Sequence, residues 1–346
     1  MALPCNAKKD EKKGTIHFFP ANHKNIRYTG RIDFSDPLKP KFWAPGVYIE
    51  AKFIGETCEI IVNDEVKWGS NQNYLHIVVD GAIQKRVQTV GYRDTIRVAG
   101  NLTEGEHTLL ICKDTETNIG YLEFVGLRCK GLVALPPPPV RKMEFIGNSI
   151  TCGTGSDLSQ VKCGKGKWHD QHNAYMAYGP LTARKLNAQW HLSSYSGIGL
   201  IHSCCGMAFT MPEVFDRINF TPGDTAWDFG RYIPDVVTIC LWQNDGIQDS
   251  AIFCRAYIQF IGQLRRYYPQ AFIICLTSPM GDAELTAVLK KYLTAVVNEV
   301  NKWGDKKVVT FFFSRSYSSG CDNHPDLSEH RLIAGELEPF IKVMGW

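Results

Sequence analysis

Four short polar stretches in the second half of the sequence carry side chains able to do chemistry together. Ser149 stands just after the apolar run 143–146 and the pair Gly147-Asn148. Gly197 lies in Ser196-Gly197-Ile198-Gly199, after the apolar "WHLSSY". Asn244 lies in "WQNDG" (242–246), after "PDVVTICL". Asp322 and His324 lie in "CDNHP" (321–325), just ahead of the last helix-like stretch. Acyl transfer needs these parts: a hydroxyl nucleophile, an imidazole to take its proton, a carboxylate to orient the imidazole, and N–H donors for the oxyanion. Each residue also has a structural reading. Ser149 can cap a helix, His324 can sit at a helix start, Asn244-Asp245-Gly246 can be a turn, and Gly197 can serve a tight bend.

Positioning them requires a sheet, and the chain's rhythm supplies one. From about residue 14 to 134, "GVYIEAKFIG", "TCEIIVND", "NYLHIVVDG", "DTIRVAG", "HTLLICKD" and "GYLEFVGLRC" read as short strands rich in Val, Ile, Tyr and Phe. Asn, Asp and Gly punctuate them, as in an all-β sandwich. The run "LPPPPV" (135–140) cannot donate ladder hydrogen bonds and predicts an extended linker. Beyond it, strands "RKMEFIG", "WHLSSYSG", "PDVVTICLWQ", "AFIICLTSP" and "KVVTFFFS" alternate with helices "YGPLTARKLNA", "AIFCRAYIQFIGQLRRYYP", "AELTAVLKKYLTAVVNEVNKWG" and "DLSEHRLIAGELEPFIKVMG". That alternation predicts a parallel sheet covered on both faces, with ligands beyond the carboxyl ends of its strands. All four polar stretches fall at that rim. The expected organisation is a basic tail at 1–13, a jelly-roll-like β-sandwich over 14–134, the linker 135–140, and a three-layer α/β domain over 141–346.

Composition narrows the classes. A net charge of +3 on 346 residues leaves no basic stripe for nucleic acid, and the Lys run at 7–13 reads as a solvated tail. No apolar run reaches the roughly 18 residues of a membrane span. No signal peptide is visible, since Lys8 follows "MALPC" almost at once. The cysteines lack a CxxC pair, which argues against a zinc ribbon. Cys240 and Cys275 read as buried thiols, whereas Cys152, Cys163, Cys204 and Cys205 could form disulfides whose pairing stays open. His169, His172 and His202 fit no established metal-ligand spacing, and His330 is expected on the surface of the last helix. Trp168, Tyr175 and Tyr178 could pack or could touch a sugar.

The four blocks in order resemble those of the GDSL or SGNH hydrolase superfamily, which contribute Ser, Gly, Asn and His. With a sandwich in front, the closer resemblance is to carbohydrate esterase family 2, deacetylases that pair a β-sandwich with an SGNH domain. "RYTGRIDFSDPLKPKFWAPGVYIEAKFIG", "TMPEVFDRINF…WDFGRYIPDVVTICLWQND" and "GCDNHPDLSEHRLIAGELEPFI" carry it. The resemblance implies Ser149 as nucleophile, His324 as general base and Asp322 as the triad acid. Gly197 and Ser149 would supply oxyanion donors through their N–H groups, and Asn244 through its amide. The pattern differs in three places: Asn148 replaces the usual Asp, Cys321 stands three before His324 where the superfamily has its acid, and Trp242 replaces a glycine. Trp242 is expected to narrow the acyl pocket or stack on a sugar, with Asp245 beside it as a second substrate contact. The implied activity is removal of O-acetyl groups from xylan- or glucomannan-type carbohydrate, without metal or organic cofactor, by an exported enzyme; a cytoplasmic one is the other possibility. An inactive carbohydrate-binding protein and a lipase or thioesterase are the competing readings.

Overall fold

Three short strands, β1 (His17–Pro20), β2 (Ile26–Thr29) and β3 (Lys41–Phe42), lead into a long one, β4 (Tyr48–Asp64), in the computed structural model, which describes residues 15–345. The lysine-rich tail at 1–13 lies outside the described residues. β4 joins the two segments "GVYIEAKFIG" and "TCEIIVND", which read as separate strands in the sequence. Gly55 (φ +109°) and a register shift between Ile54 and Cys58 turn the strand without ending it. Its first half pairs with β2 and with β8 (Glu106–Lys113), its second half with β7 (Arg93–Arg97), and β9 (Leu122–Val133) pairs with both, from Lys52 to Asp64. β5 (Tyr74–Val79) and β6 (Ile83–Gln88) extend the β8 side, giving a nine-stranded antiparallel sheet in all. Alternate residues of these strands, among them Phe53, Ile60, Ile77, Ile111, Phe124 and Leu127, are buried and fill the sandwich.

The proline run belongs to no helix or strand, and its carbonyls are tied down at both ends. Pro136 accepts from Arg27 at 2.8 Å and Pro139 from Gln189 at 2.7 Å. The α/β half then follows as β10 (Lys142–Gly147), α1 (Ser149–Cys152), α2 (Tyr178–Lys185), β11 (Gln189–Ser194), α3 (Met211–Val214), β12 (Val236–Cys240), α4 (Ser250–Tyr267), β13 (Phe272–Leu276), α5 (Ala283–Lys302), β14 (Val308–Phe311) and α6 (Leu327–Val343). The five strands are parallel, in the order β11-β10-β12-β13-β14.

Both faces of this sheet are covered. α2 and α6 pack together, and Ile333, Leu337 and Ile341 of α6 share a core with Met143 and Phe145 of β10. α4 and α5 pack together with Ile146, Val237, Ile239 and Ile273. Successive strand residues thus enter opposite cores, which explains the near-continuous apolar runs. His330 belongs to the apolar stripe of α6, fully buried, with its Nδ1 accepting from Tyr178 N at 3.1 Å. The expectation of a surface histidine is therefore corrected: positions 330, 333, 334, 337 and 341 lie on one helical face.

The two halves are joined by buried charge as well as by apolar contact. Arg31, fully buried, reaches Glu144 of β10 at 3.4 Å and donates to Arg217 O at 2.7 Å. Its guanidinium lies over the rings of Phe220 and Phe215, 4.6 and 4.8 Å from their centroids.

Candidate active site

Three adjacent strands present three of the four blocks at one rim. β11 leads to Gly197, the central β10 to Ser149, and β12 to Asn244. The strand order therefore places the serine between the glycine and the asparagine. Asn148, not Ser149, caps α1, accepting from Ile150 N at 3.2 Å, so Ser149 is the first helical residue and its hydroxyl is free of capping. The turn needs its small residues. A Cβ on Gly147 would lie 2.0 Å from Thr151 Oγ1, and one on Gly153 (φ +75°) 2.4 Å from Asn173 O.

His324 comes from the loop between β14 and α6, and its Nε2 stands 2.8 Å from Ser149 Oγ. Its other ring nitrogen, Nδ1, lies 3.1 Å from Cys321 O. A carbonyl can only accept, so Nδ1 carries the proton and Nε2 is left as the acceptor for the serine hydroxyl. Burial holds the imidazole below its ordinary range, partly countered by the Cys321 carbonyl and the charge of Asp322. The Asp322 carboxylate is thus not the hydrogen-bond partner of Nδ1, which corrects the expected triad geometry. Asp322 is exposed, with φ +52°, and the turn it makes brings a main-chain carbonyl under the ring instead.

The histidine loop is clamped to the serine turn. Cys321 N donates to Gly155 O at 2.8 Å, Leu327 N to Ser156 O at 3.1 Å, and a disulfide joins Cys163 to Cys321. A Cβ on Gly320 would meet Gly155 O at 2.6 Å. The second disulfide links the neighbours Cys204 and Cys205, in the loop after Gly197. Cys152 is a free buried thiol, as are Cys240 and Cys275, whose thiols burial pushes up to about 12.

Gly197 has φ +84°, and a Cβ there would lie 2.9 Å from Cys204 Sγ, so the bend requires glycine. Asn244 Nδ2 donates to Ile198 O at 2.8 Å, which orients the amide against the glycine loop. Asp245 is buried and accepts from three consecutive amides, Leu200, Ile201 and His202, at 2.9, 2.7 and 2.9 Å. It holds the loop that carries Gly197, and both its oxygens are engaged by those amides. Trp242 also departs from expectation. Its indole is buried, 3.5 Å between ring centroids from Phe253 and 5.4 Å from Tyr292, in the core under α4 and α5. Buried there, it offers no exposed face for stacking on a sugar. Tyr175 and Tyr178 are likewise buried packing residues, whereas Trp168 keeps an exposed face. His169 and His172 are buried, His202 is exposed, and no group of three or more His, Cys, Asp or Glu among the described residues is gathered to hold a metal ion.

Residues 28–139 match the profile of the carbohydrate esterase 2 N-terminal domain, and residues 145–313 that of the GDSL-like lipase/acylhydrolase family. A solved family two carbohydrate esterase from Clostridium thermocellum, in complex with cellohexaose, superposes with a TM-score of 0.85 at 33% identity. That match covers 93% of this chain and 99% of the other. The chain belongs to carbohydrate esterase family 2. Among curated relatives, the cellulase/esterase CelE of Acetivibrio thermocellus is 34% identical over 94% of this chain, which spans 40% of the length of CelE. An acetylxylan esterase/glucomannan deacetylase of Cellvibrio japonicus is 28% identical over 99% of this chain and 95% of its own length. No helix among the described residues is long and apolar enough to cross a membrane.

One group at this family-2 site carries no sequence signal. Glu116, from the segment between β8 and β9, is fully buried and accepts from Ser196 N and Ser196 Oγ at 2.7 and 2.5 Å. An acidic residue in "KDTETN" looks like any strand-end turn, because its partners are 38 and 80 residues away.

Proposed function

We propose that the protein is a serine esterase that removes O-acetyl groups from carbohydrate. The 2.8 Å contact between Ser149 Oγ and His324 Nε2 carries the proposal. His324 takes the hydroxyl proton as Ser149 Oγ attacks the acetyl carbonyl carbon. The oxyanion is met by the N–H groups of Ser149 and Gly197 and by the amide of Asn244. Collapse breaks the bond to the sugar oxygen, which leaves with the proton from His324, and the acetyl group stays on Ser149. Water then gives a proton to His324 and attacks the acyl carbon; acetate departs and Ser149 regains its proton. The Cys321 carbonyl, which fixes the tautomer, does the orienting work expected of Asp322.

The activities of relatives on acetylxylan and glucomannan support an acetylated plant polysaccharide as substrate. The two disulfides fit an oxidising, extracytoplasmic setting. On this reading 14–134 is the sandwich domain, 135–140 the linker and 141–346 the catalytic domain. The test is acetate release from acetylated xylan and glucomannan, with aryl acetate and aryl octanoate as model esters, for wild type and Ser149→Ala. Acetate release that the substitution abolishes is the expected result. Faster octanoate hydrolysis would make the protein a lipase, and a wild type inert on every ester would leave binding as its role.

A further inference from the structure

We propose that Glu116, contributed by the β-sandwich half, is a positioning residue that holds the Ser149 turn and the Gly197 loop in register; this rests on the roles of Ser149 and Gly197 proposed above. One carboxylate oxygen accepts from Ser196 N at 2.7 Å. The other accepts from Ser196 Oγ at 2.5 Å and from Thr154 Oγ1 at 3.1 Å. Those two hydroxyls are themselves 2.9 Å apart. Each partner is tied closely to a reacting group. Ser196 is joined by one peptide bond to Gly197, and Thr154 N donates to Ser149 O at 3.0 Å. A single side chain thus spans the hydroxyl side and the oxyanion side of the site from behind.

Glu116 is itself firmly placed. Lys113 Nζ, fully buried, donates to the carbonyls of Thr115 and Glu116 at 2.6 and 3.3 Å, and Thr115 Oγ1 donates to Asn73 Oδ1 at 2.6 Å. The neighbouring Asp114 accepts from Ala174 N and Tyr175 N of the catalytic half. Burying a carboxylate is costly; here hydrogen bonds from the Ser196 amide, the Ser196 and Thr154 hydroxyls and, at 3.8 Å, the Cys152 thiol offset the cost. Burial raises its proton affinity, and the bonds from Ser196 and Thr154 counter that.

The test compares Glu116→Ala and Glu116→Gln with wild type and Ser149→Ala on aryl acetate, with thermal melts to establish folding. Glutamine keeps the geometry: its oxygen accepts from Ser196 N while its amide donates to the two hydroxyls, which can turn to accept. Misplacement of about 1 Å costs on the order of 10²-fold, so Glu116→Ala is expected to lose about 10- to 100-fold in kcat with KM nearly unchanged. Glu116→Gln is expected to recover most of it. A folded Glu116→Ala with wild-type kcat, a loss confined to KM, or a glutamine variant no better than alanine would each overturn the inference. Should Glu116→Ala not fold, Thr154→Val with Ser196→Ala removes both hydroxyl donors and leaves the carboxylate in place. A drop in kcat then supports the inference, and wild-type kcat overturns it. If Ser149→Ala stays active, the serine mechanism falls and this inference with it. If Ser149→Ala is inert while Glu116→Ala is unaffected, this inference alone falls.

Discussion

The neutral imidazole of His324 is the form that can take a proton, and burial favours that form. Its folded pKa lies below the ordinary 6.5, so activity is retained as pH falls through 6.5 and is lost only further into acid. A pH profile of kcat/KM on aryl acetate should place the acid limb below 6.5; a limb at or above it would contradict the environment described. Amide substitution of a triad carboxylate that orients its histidine costs roughly 10⁴-fold. Asp322→Asn should cost far less, because the Cys321 carbonyl accepts from Nδ1 and is untouched by the change. Steady-state kinetics of that variant decide the point. At this scale the sequence is informative where chemistry and placement coincide. Ser149, Gly197, Asn244 and His324 are small or polar residues following apolar strands or opening a helix, and the structure gathers their loops. Asp322 misleads because a carboxylate two residues from a histidine looks like its partner, while an unusual φ passes that role to the backbone.

Elements explain the other departures. Whether a side chain at a strand end faces the cleft or the core depends on the helices that cover it, and no local pattern reports that. Trp242 was free to be a pocket wall until α4 and α5 supplied Phe253 and Tyr292 as neighbours. Its truncation is therefore a stability experiment. Trp242→Ala should cost about 3–5 kcal/mol and leave KM for aryl acetate and aryl octanoate in the same ratio, as chemical denaturation and steady-state kinetics would report. A shifted ratio with unchanged stability would return the indole to the cleft. The strand-helix alternation was legible because its periodicity is local. The union of two segments into β4 was not, since a glycine bulge and a turn share the same residues until pairing partners are known.

Over the whole molecule, buried neutral histidines set the response to acid. His172, His191 and His330 are held by burial below their ordinary range, His330 at about 3. Unfolding lets each take up a proton below pH 6.5, so the unfolded chain binds more protons and stability falls as pH falls. Each such group contributes a slope of about 1.4 kcal/mol per pH unit once pH is well below its unfolded value and above its folded one. His107, held up by Asp80 at the surface, opposes this weakly, and the raised carboxyls of Glu116 and Asp245 oppose it only in the carboxylate range. Urea midpoints should therefore decline between pH 7 and 5; a flat profile would contradict the burial of these rings. The site's dependence on both halves was the least legible feature, because contacts such as Arg31 with Glu144 and Glu116 with Ser196 span 113 and 80 residues.

The clamp on His324 has a consequence for how the protein comes into being. The base stands 175 residues after the serine, on a loop that the Cys163–Cys321 bond fastens to the serine's own turn. On a growing chain the sandwich, the serine turn, the glycine bend and the asparagine can all be in place while the hydroxyl still lacks its proton acceptor. The proton acceptor is then acquired after the other three parts of the site. It comes with the segment that follows β14, and the bond between two cysteines 158 residues apart then fastens that segment to the serine turn. A nascent chain that has not reached residue 324 holds the serine turn without the imidazole that faces it in the folded protein.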